Sequence, residues 1–283
     1  RNPAGALDFA AVTDHAEQFG AAGLCHTPGT EPYESWTCKL ERKAPRLGIL
    51  AGMIANGLLG MDGHCIDGAC EQAATQAWND TISAAETQNS PCEFTSFIAY
   101  EWTGNADSGG TIHRNVIFNQ KPNIELPFDA RSHKTPDQLF TALQTHCVNA
   151  KEGCDALTIP HNSNLSKAQM FPVFEESAGI NPENWNYFDR LSEIIQHKGA
   201  SECYAGPGSN DEACTFENLP YSSFVGKFIP LLAKAPEDDS SYLRNALAEG
   251  LRFNTINPYA FGLIGSTDTH LGTAGQTLEQ NYR

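Results

Sequence analysis

Short apolar runs alternate along the chain with longer amphipathic segments, and this alternation predicts the main elements of the fold. Apolar, β-branched or aromatic runs with polar ends predict strands at 7–13, 94–103, 113–119, 155–162, 191–198 and 261–270. Helical periodicity or a helix-start signal predicts helices at 47–60, 70–88, 135–148 and 240–253. Strands that alternate with helices are typical of a parallel sheet or barrel, so we expect an α/β fold.

Local signals add detail to this outline. The tripeptide Thr135-Pro136-Asp137 is a typical helix start, and serines at 240–241 supply a cap for the last predicted helix. The Gly109-Gly110 pair predicts a hairpin turn between the second and third strands. Residues 20–45 are rich in Gly, Pro, Thr and charge, so we expect a loop insertion there. Because the sequence shows no repeat or convincing linker, we expect one domain over residues 1–283.

Composition narrows the functional classes. The 283 residues carry 18 Lys and Arg against 34 Asp and Glu, a formal charge of −16. This balance argues against a nucleic-acid-binding surface and against attachment to an anionic membrane. The longest apolar run, at 47–61, is too short and too rich in glycine for a membrane span. We therefore expect an acidic, soluble, globular protein.

Cysteine spacing indicates an oxidising compartment. The chain has nine cysteines, and none is in a C-x-x-C motif of the kind used by zinc ribbons or thioredoxins. All but Cys92 fall into local couples: Cys25/Cys38, Cys65/Cys70, Cys147/Cys154 and Cys203/Cys214. Unpaired buried cysteines remain an alternative, but we expect disulfides that staple loops, each contributing roughly 2–3 kcal/mol. We therefore expect a periplasmic or secreted protein.

Imidazole and carboxylate side chains recur at the predicted strand ends. The residues concerned are Asp14, His15, Glu101, His113, His161, Glu193, His197, Asp268 and His270. In a parallel barrel the carboxyl ends of the strands converge on one face. Histidine with Asp or Glu, and without cysteine, is a ligand set suited to Zn, Mn or Fe. The sequence therefore predicts a metal centre at this face.

Several residues keep an alternative interpretation. His113 lies at the start of its strand, and it fits the centre only if the hairpin brings that start beside Glu101. Glu193 and His197 are candidate substrate contacts, ligand partners or ordinary surface residues. Arg114 and Lys198 are candidate phosphate contacts, and ordinary surface cations are an equal alternative. Four histidines without a preceding strand are left out of the site: His26, His64, His133 and His146.

Six motifs in order carry a family resemblance: VTDHAE, AYEWT, HRNVIF, IPHN, LSEIIQHKGASE and GSTDTH. Together they resemble the PHP superfamily of metallo-phosphoesterases, named for polymerase and histidinol phosphatase. Within it they are most similar to an often exported bacterial family of unknown function, DUF3604. The resemblance extends from Leu7 to His270.

The resemblance implies a distorted (β/α)7 barrel with two or three divalent metal ions at the strand ends. It implies a bridging role for Glu101, and for Asp14 a role as ligand or as the partner that orients His15. The remaining implied ligands are His15, His113, His161, Asp268 and His270. The family also has an H-x-H pair before the TDH motif and a longer C-terminus. Neither is in this sequence, so we expect a barrel that is truncated at the first strand and at the C-terminus.

The expected activity is hydrolysis of a phosphate mono- or diester in a small molecule, with Glu101, His161 and Asp268 in catalytic roles and Arg114, Glu193 and His197 on the substrate. One alternative is another metallohydrolase that acts on a C–N bond or a sulfate ester, like an amidohydrolase. A second alternative is a degenerate barrel without catalysis. Motifs for P-loop, serine-esterase and zincin chemistry are missing from the sequence.

Overall fold

Strands and helices alternate in a computed structural model of the chain, as the sequence pattern predicts. The structure describes residues 7–44, 47–48, 69–105, 109–173, 180–206, 211–223, 239–253 and 255–270. The strands are β1 (Phe9–Ala11), β2 (Thr95–Trp102), β3 (Arg114–Phe118), β4 (Ala156–Pro160), β5 (Leu191–Gln196), β6 (Gly199–Ala200) and β7 (Gly262–Gly265). Each predicted strand has a counterpart, although β1 and β7 are shorter than expected.

The strands form two mixed sheets. The first has four strands in the order β1-β2-β3-β4, and the second has three in the order β6-β5-β7. β1 is parallel to β2, and β5 is parallel to β7, whereas β3 is antiparallel to both of its neighbours. The predicted hairpin is therefore confirmed, because β3 runs antiparallel to β2.

The two sheets adjoin where β4 faces β5. An isolated parallel bridge links Thr158 to Asp189, and the Ser192 hydroxyl donates a hydrogen bond to the Pro160 carbonyl at 3.3 Å. Among the described residues no hydrogen-bonded pairing joins β1 to β7, so the sheets do not close. The fold is thus mixed α/β, and the expected (β/α)7 barrel is not confirmed.

Short helices cover the sheets. The α-helices are Ala21–Cys25, Glu31–Glu34, Trp36–Lys43, Ala69–Gln88, Pro136–Leu143, Pro182–Phe188 and Leu243–Leu251. The 3-10 turns are Ala16–Gln18, Ser163–Leu165, Glu212–Thr215 and Asp239–Ser241, and Gln144–Val148 is a π-helical turn. Between these elements lies an aromatic core in which Trp78 of the longest helix contacts Tyr100 and Phe118, with ring centroids 5.9 and 6.4 Å away.

Sequence signals located the helices at 70–88 and 135–148 well. The Thr135 side chain accepts a hydrogen bond from the Gln138 backbone N–H, and Gln138 returns one to the Thr135 backbone, which forms a capping box. In the last helix the N-cap is Tyr242 and has no side-chain cap, so the expected serine cap is wrong. The predicted helix at 47–60 lies almost wholly outside the described residues.

Two regional expectations need correction. Residues 20–45 contain three short helices rather than an open loop, because Thr30 and Ser35 act as N-caps for two of them. The apolar run at 7–13 is typical of a buried strand, yet Phe9 is 67% exposed and Val12 59% exposed. β1 is an edge strand of its sheet, so its outer side has no neighbouring strand among the described residues.

Three of the predicted cysteine couples are disulfides: Cys25–Cys38, Cys147–Cys154 and Cys203–Cys214. Cys92 is free and exposed, as its odd position predicts. The remaining couple includes Cys65, which lies outside the described residues. No helix in the described part of the chain has the length and apolar character needed to cross a membrane.

Candidate metal centre

Glu101 stands near the end of β2 and is the residue around which the candidate site is built. Its backbone N–H donates a hydrogen bond to the Asp14 carbonyl at 2.8 Å, and His15 forms a parallel bridge with it. On the other side it pairs with Asn115 of β3. These two pairings bring the residues after β1 and before β3 to the same carboxylate, which is 3% exposed.

Three imidazoles meet one oxygen atom of this carboxylate. Glu101 Oε1 lies 3.3 Å from His15 Nδ1, 2.7 Å from His113 Nδ1 and 3.2 Å from His161 Nε2. Protein donors sit about 2.1 Å from a zinc ion, so two donors on one tetrahedral ion are roughly 3.4 Å apart. The separations of Glu101 from His15 and His161 are close to that spacing.

The charges of this group favour a cation. Burial alone would raise the pKa of Glu101, but His161 and His113 hold that pKa well below its usual range. Burial lowers the pKa of His113 to about 4, against the opposing pull of Glu101. Burial also lowers the pKa of His161, yet Glu101 more than offsets this and raises it. At neutral pH the group therefore contains an ionised carboxylate beside a neutral His113.

Neighbouring groups fix the imidazole rings. His161 Nδ1 lies 3.2 Å from the Ile159 carbonyl, which can only accept a hydrogen bond, and the opposite ring nitrogen, Nε2, lies 3.2 Å from Glu101 Oε1. The Gln196 amide donates a hydrogen bond to the His161 carbonyl at 2.6 Å. His15 Nδ1 lies 2.6 Å from the Thr103 hydroxyl. Of these contacts, the Ile159 carbonyl is the kind of partner that orients metal-binding histidines, because it lies on the ring nitrogen opposite the one that faces Glu101.

A second group of possible ligands adjoins the first. The ligand atoms of His197, Asp268 and His270 lie within 4.8 Å of one another, and this group is more exposed than that of Glu101. The His270 ring lies 5.8 Å from the His15 ring. Asp268 has φ 49°, a left-handed conformation uncommon outside glycine, and its carboxylate forms an ion pair with the buried Lys198 ammonium.

Glu193 lies buried beside both groups. It is 2% exposed, and its Oε1 atom has no hydrogen-bond partner among the described residues. Burial raises the pKa of Glu193 to about 8, and the Asp268 charge adds to the increase while His161 opposes it. A buried carboxyl oxygen without a donor is a costly arrangement unless another group, such as a cation, satisfies it. Together these nitrogen and oxygen donors, with no thiolate among them, fit Zn, Mn or Fe.

The structure gathers most of the predicted ligands, and Asp14 is the exception. His15, Glu101, His113, His161, Asp268 and His270 all belong to the two adjoining groups. The Asp14 side chain is exposed and lies in neither group of possible ligands found in the described residues. What Asp14 contributes is its backbone carbonyl, which holds the Glu101 N–H.

Arg114, expected to contact substrate, is placed elsewhere. It is fully buried, and its guanidinium donates to both carboxylate oxygens of Asp189 at 3.1 to 3.3 Å. It also lies over the Trp185 ring, 4.9 Å from the centroid. Because strand neighbours point to opposite faces, β3 directs Arg114 away from the side chain of His113. A residue so enclosed supports the fold and is not accessible to a substrate.

Glu193 and His197, the other expected substrate contacts, do lie at the centre, but they offer metal-ligand atoms as readily as substrate contacts. Lys198 is also there and is 5% exposed. The histidines left out of the site behave as expected where they are described. His26 lies beside Glu41, and His133 and His146 contact Phe128. His64 is outside the described residues.

Sequence reasoning missed two residues that support the centre, Thr103 and Gln196. Thr103 is two positions after Glu101, so strand alternation alone places it on the same face, and this signal was available. Gln196 lies three positions after Glu193, and nothing local marks it, because its partner is the distant carbonyl of His161.

One comparison with known proteins gives a match. A family model described as "Protein of unknown function (DUF3604)" matches residues 4–283. No curated protein and no solved structure matches the chain. The description of the family names no activity, so any functional inference depends on the geometry of the site.

Proposed function

The chain belongs to the DUF3604 family, and from that premise we propose that it is a metal-dependent phosphoesterase. The proposed reaction is hydrolysis of a phosphate mono- or diester in a small molecule, with two or three divalent ions (Zn, Mn or Fe) as cofactors. We further propose that the family lies within the PHP superfamily.

One observation carries this proposal. Histidines that follow β1, precede β3 and follow β4 all meet the same buried carboxylate oxygen of Glu101. A cation bound by these imidazoles and this carboxylate would account for their clustering, because each buried polar group costs free energy unless it is satisfied. The second group, at His270, adjoins it closely enough for a shared substrate.

Divalent ions bound at such a centre supply Lewis-acid stabilisation of anionic oxygens and make water a stronger acid near neutral pH. The chain's own residues prepare the site for this chemistry. Glu101 keeps its negative charge although it is buried, and His113 stays neutral and so does not repel a cation. Glu193, with a pKa of about 8, holds a proton at neutral pH on a carboxyl whose Oε1 atom is otherwise without a partner. It is the candidate proton donor within the site.

Charge favours a phosphate ester over an amide as substrate. The chain has a formal charge of −16, so an anionic substrate needs a local positive field. The ions and the Lys198 ammonium would provide it. Many amidohydrolases instead use a carboxylated lysine, which is an anionic carbamate, whereas Lys198 is committed to an ion pair with Asp268. This pairing favours the phosphoesterase over the C–N hydrolase.

The finer fold and the location are part of the same proposal. The bridge between β4 and β5, together with the approach of His15 to His270, supports a distorted (β/α)7 barrel in which β1 and β7 approach each other at their carboxyl ends. The disulfides support a periplasmic or secreted protein, because such bonds persist in oxidising compartments.

A substrate panel tests the proposal. The full chain is stripped of metal, reloaded with Zn, Mn or Fe, and assayed with p-nitrophenyl phosphate, bis-p-nitrophenyl phosphate, p-nitrophenyl sulfate and a p-nitroanilide. We expect metal-dependent release from a phosphate ester. Glu101→Gln should lower kcat/KM more than roughly 100-fold, since it removes the charge that the ligands share. Glu86→Gln, an exposed change on the helix Ala69–Gln88, is the matched control.

The outcomes separate the alternatives. Turnover of only the anilide or the sulfate would replace the phosphoesterase with another metallohydrolase. Stoichiometric metal binding with no turnover of any substrate would favour a non-catalytic protein. Equal activity in the Glu101→Gln variant and the wild type would overturn the assignment of the centre.

A further inference from the structure

The second group of possible ligands contains His197, which the proposed ligand set does not include. We infer that His197, together with Asp268 and His270, forms a separate, weaker cation site beside the Glu101 group, and that Lys198 occupies its carboxylate when no ion is bound. The inference rests on the proposed function only in taking the centre to hold metal ions. It reassigns His197 from substrate contact to metal ligand.

The geometry puts His197 among the ligands. His197 Nε2 lies 4.0 Å from Asp268 Oδ2, and His270 Nδ1 lies 3.7 Å from Asp268 Oδ1. The rings of His197 and His270 are stacked, with centroids 5.7 Å apart and an angle of 16° between their planes. Two nearly parallel imidazoles beside one carboxylate present two nitrogens and one oxygen, which is the minimum set for a divalent ion with open positions.

Exposure distinguishes this site from that of Glu101. In the Glu101 group the side chains of His113, His161 and Glu101 are at most 7% exposed and that of His15 is 28% exposed, whereas those of His197 and His270 are 35% and 54% exposed. Exposed ligands remain hydrated and mobile, so ordering them around an ion costs more side-chain entropy. The outer site should therefore bind an ion more weakly and exchange it faster than the buried one.

Lys198 adds a specific competitor. Its ammonium forms an ion pair with Asp268 Oδ2, the same oxygen that lies closest to His197. A divalent ion entering the outer site must share that carboxylate with an ammonium held in a buried position, and the two positive charges repel each other. Glu101 has no lysine or arginine among its ion-pair partners in the described residues. The direct competition for a carboxylate oxygen therefore falls on the outer site, although the Lys198 charge also acts on His113 and His161.

Metal titration of the full chain tests the inference without reference to turnover. Metal-stripped protein is titrated with Zn²⁺ by calorimetry and with Co²⁺ by visible absorption, and stoichiometry is checked by elemental analysis. For the wild type we expect a tight and a weaker binding step. His197→Ala should weaken the second step more than roughly 100-fold and leave the first unchanged. Lys198→Met should shift the second step to tighter binding.

His26→Ala is the matched control, because His26 is another exposed imidazole beside a carboxylate, 3.5 Å from Glu41. It should leave both steps unchanged. Wild-type binding in His197→Ala would overturn the inference, and so would loss of both steps in a variant that is folded by circular dichroism. Weaker second binding in Lys198→Met would contradict the competition.

The two proposals can fail separately. Two binding steps with the expected variant effects, but no phosphate-ester hydrolysis, would support this inference and overturn the proposed function. Phosphate-ester hydrolysis by the wild type, together with a second metal-binding step that is unchanged in His197→Ala, would support the proposed function and overturn this inference. A wild-type chain that binds no ion in either titration would overturn both.

Discussion

The rings of His15 and His270 lie 5.8 Å apart, although His15 follows the first strand of one sheet and His270 follows the last strand of the other. The contact brings together the segments that follow the carboxyl ends of β1 and β7. His15 and His161 in turn both reach Glu101 Oε1. Side chains that are far apart along the sequence thus converge on one group, which is the condition that a shared metal centre requires.

Removing metal should lower the stability of the protein. An ion that binds only the folded state stabilises it by about 2.7 kcal/mol per site when its free concentration is 100 times Kd. We therefore expect the Tm in calorimetry to fall after EDTA treatment and dialysis, and to recover when Zn²⁺ or Mn²⁺ is added. Ca²⁺ should restore little, because the imidazole-rich donor set does not suit it.

The matched comparison for this experiment is Glu101→Gln, which preserves the shape of the side chain. Its Tm should respond to added Zn²⁺ much less than that of the wild type. A Tm that does not depend on metal in the wild-type protein would argue against a metal centre in the folded state.

Alanine substitutions should separate the centre from the other histidines. His161→Ala or Asp268→Ala should abolish hydrolysis and lower the metal content, because each removes a ligand from one of the two groups. His146→Ala should change neither, because its ring contacts Phe128 instead. Elemental analysis and the p-nitrophenyl phosphate assay measure the two effects. Full metal content in both ligand variants would contradict the assignment.

The candidate ligands could be predicted from sequence because each follows or precedes a strong strand signal, as His161 does after β4. The different roles of His113 and Arg114 could not be predicted from sequence. Both are polar residues at the start of the same strand, and only its pairing with β2 directs one to Glu101 and the other to Asp189. Arg114 and Asp189 are 75 positions apart, so no local sequence pattern predicts their ion pair.

The same contrast holds for the fold. Local chemistry predicted the capping box at Thr135 and the short disulfides, because neighbours in sequence form them. Whether strands are parallel, and whether sheets close, depends on long-range pairing that hydrophobic periodicity does not encode. The missing pairing between β1 and β7 in the described residues and the exposed Phe9 on β1 are the places where this limit is visible.

The ion pair of Arg114 with Asp189 should be a major support of the core. Asp189→Asn leaves the guanidinium buried without a counter-charge, and breaking a buried pair in this way costs about 3–5 kcal/mol. Urea denaturation followed by circular dichroism measures the loss. The double variant Arg114→Met/Asp189→Leu should recover part of the stability, because no buried charge remains unpaired.

Metal content provides the control for that prediction. Asp189→Asn should keep its metal when it is assayed at a temperature where it is folded. If the variant were as stable as the wild type but had lost hydrolysis of phosphate esters, Arg114 would regain its expected role as a substrate contact.

The disulfide between Cys147 and Cys154 offers the cleanest test of the cysteine assignment. The two residues are separated by 7 positions, and loop-closure entropy for so short a loop predicts a loss of about 2–3 kcal/mol when the bond is removed. We expect that loss in denaturant unfolding of Cys147→Ser/Cys154→Ser. Cys92→Ser, which replaces the free and exposed thiol, should leave stability unchanged. Free thiols are then counted in the unfolded, unreduced protein. The wild type should show only the thiol of Cys92, and Cys92→Ser should show none. Extra thiols in the variant would contradict the pairing.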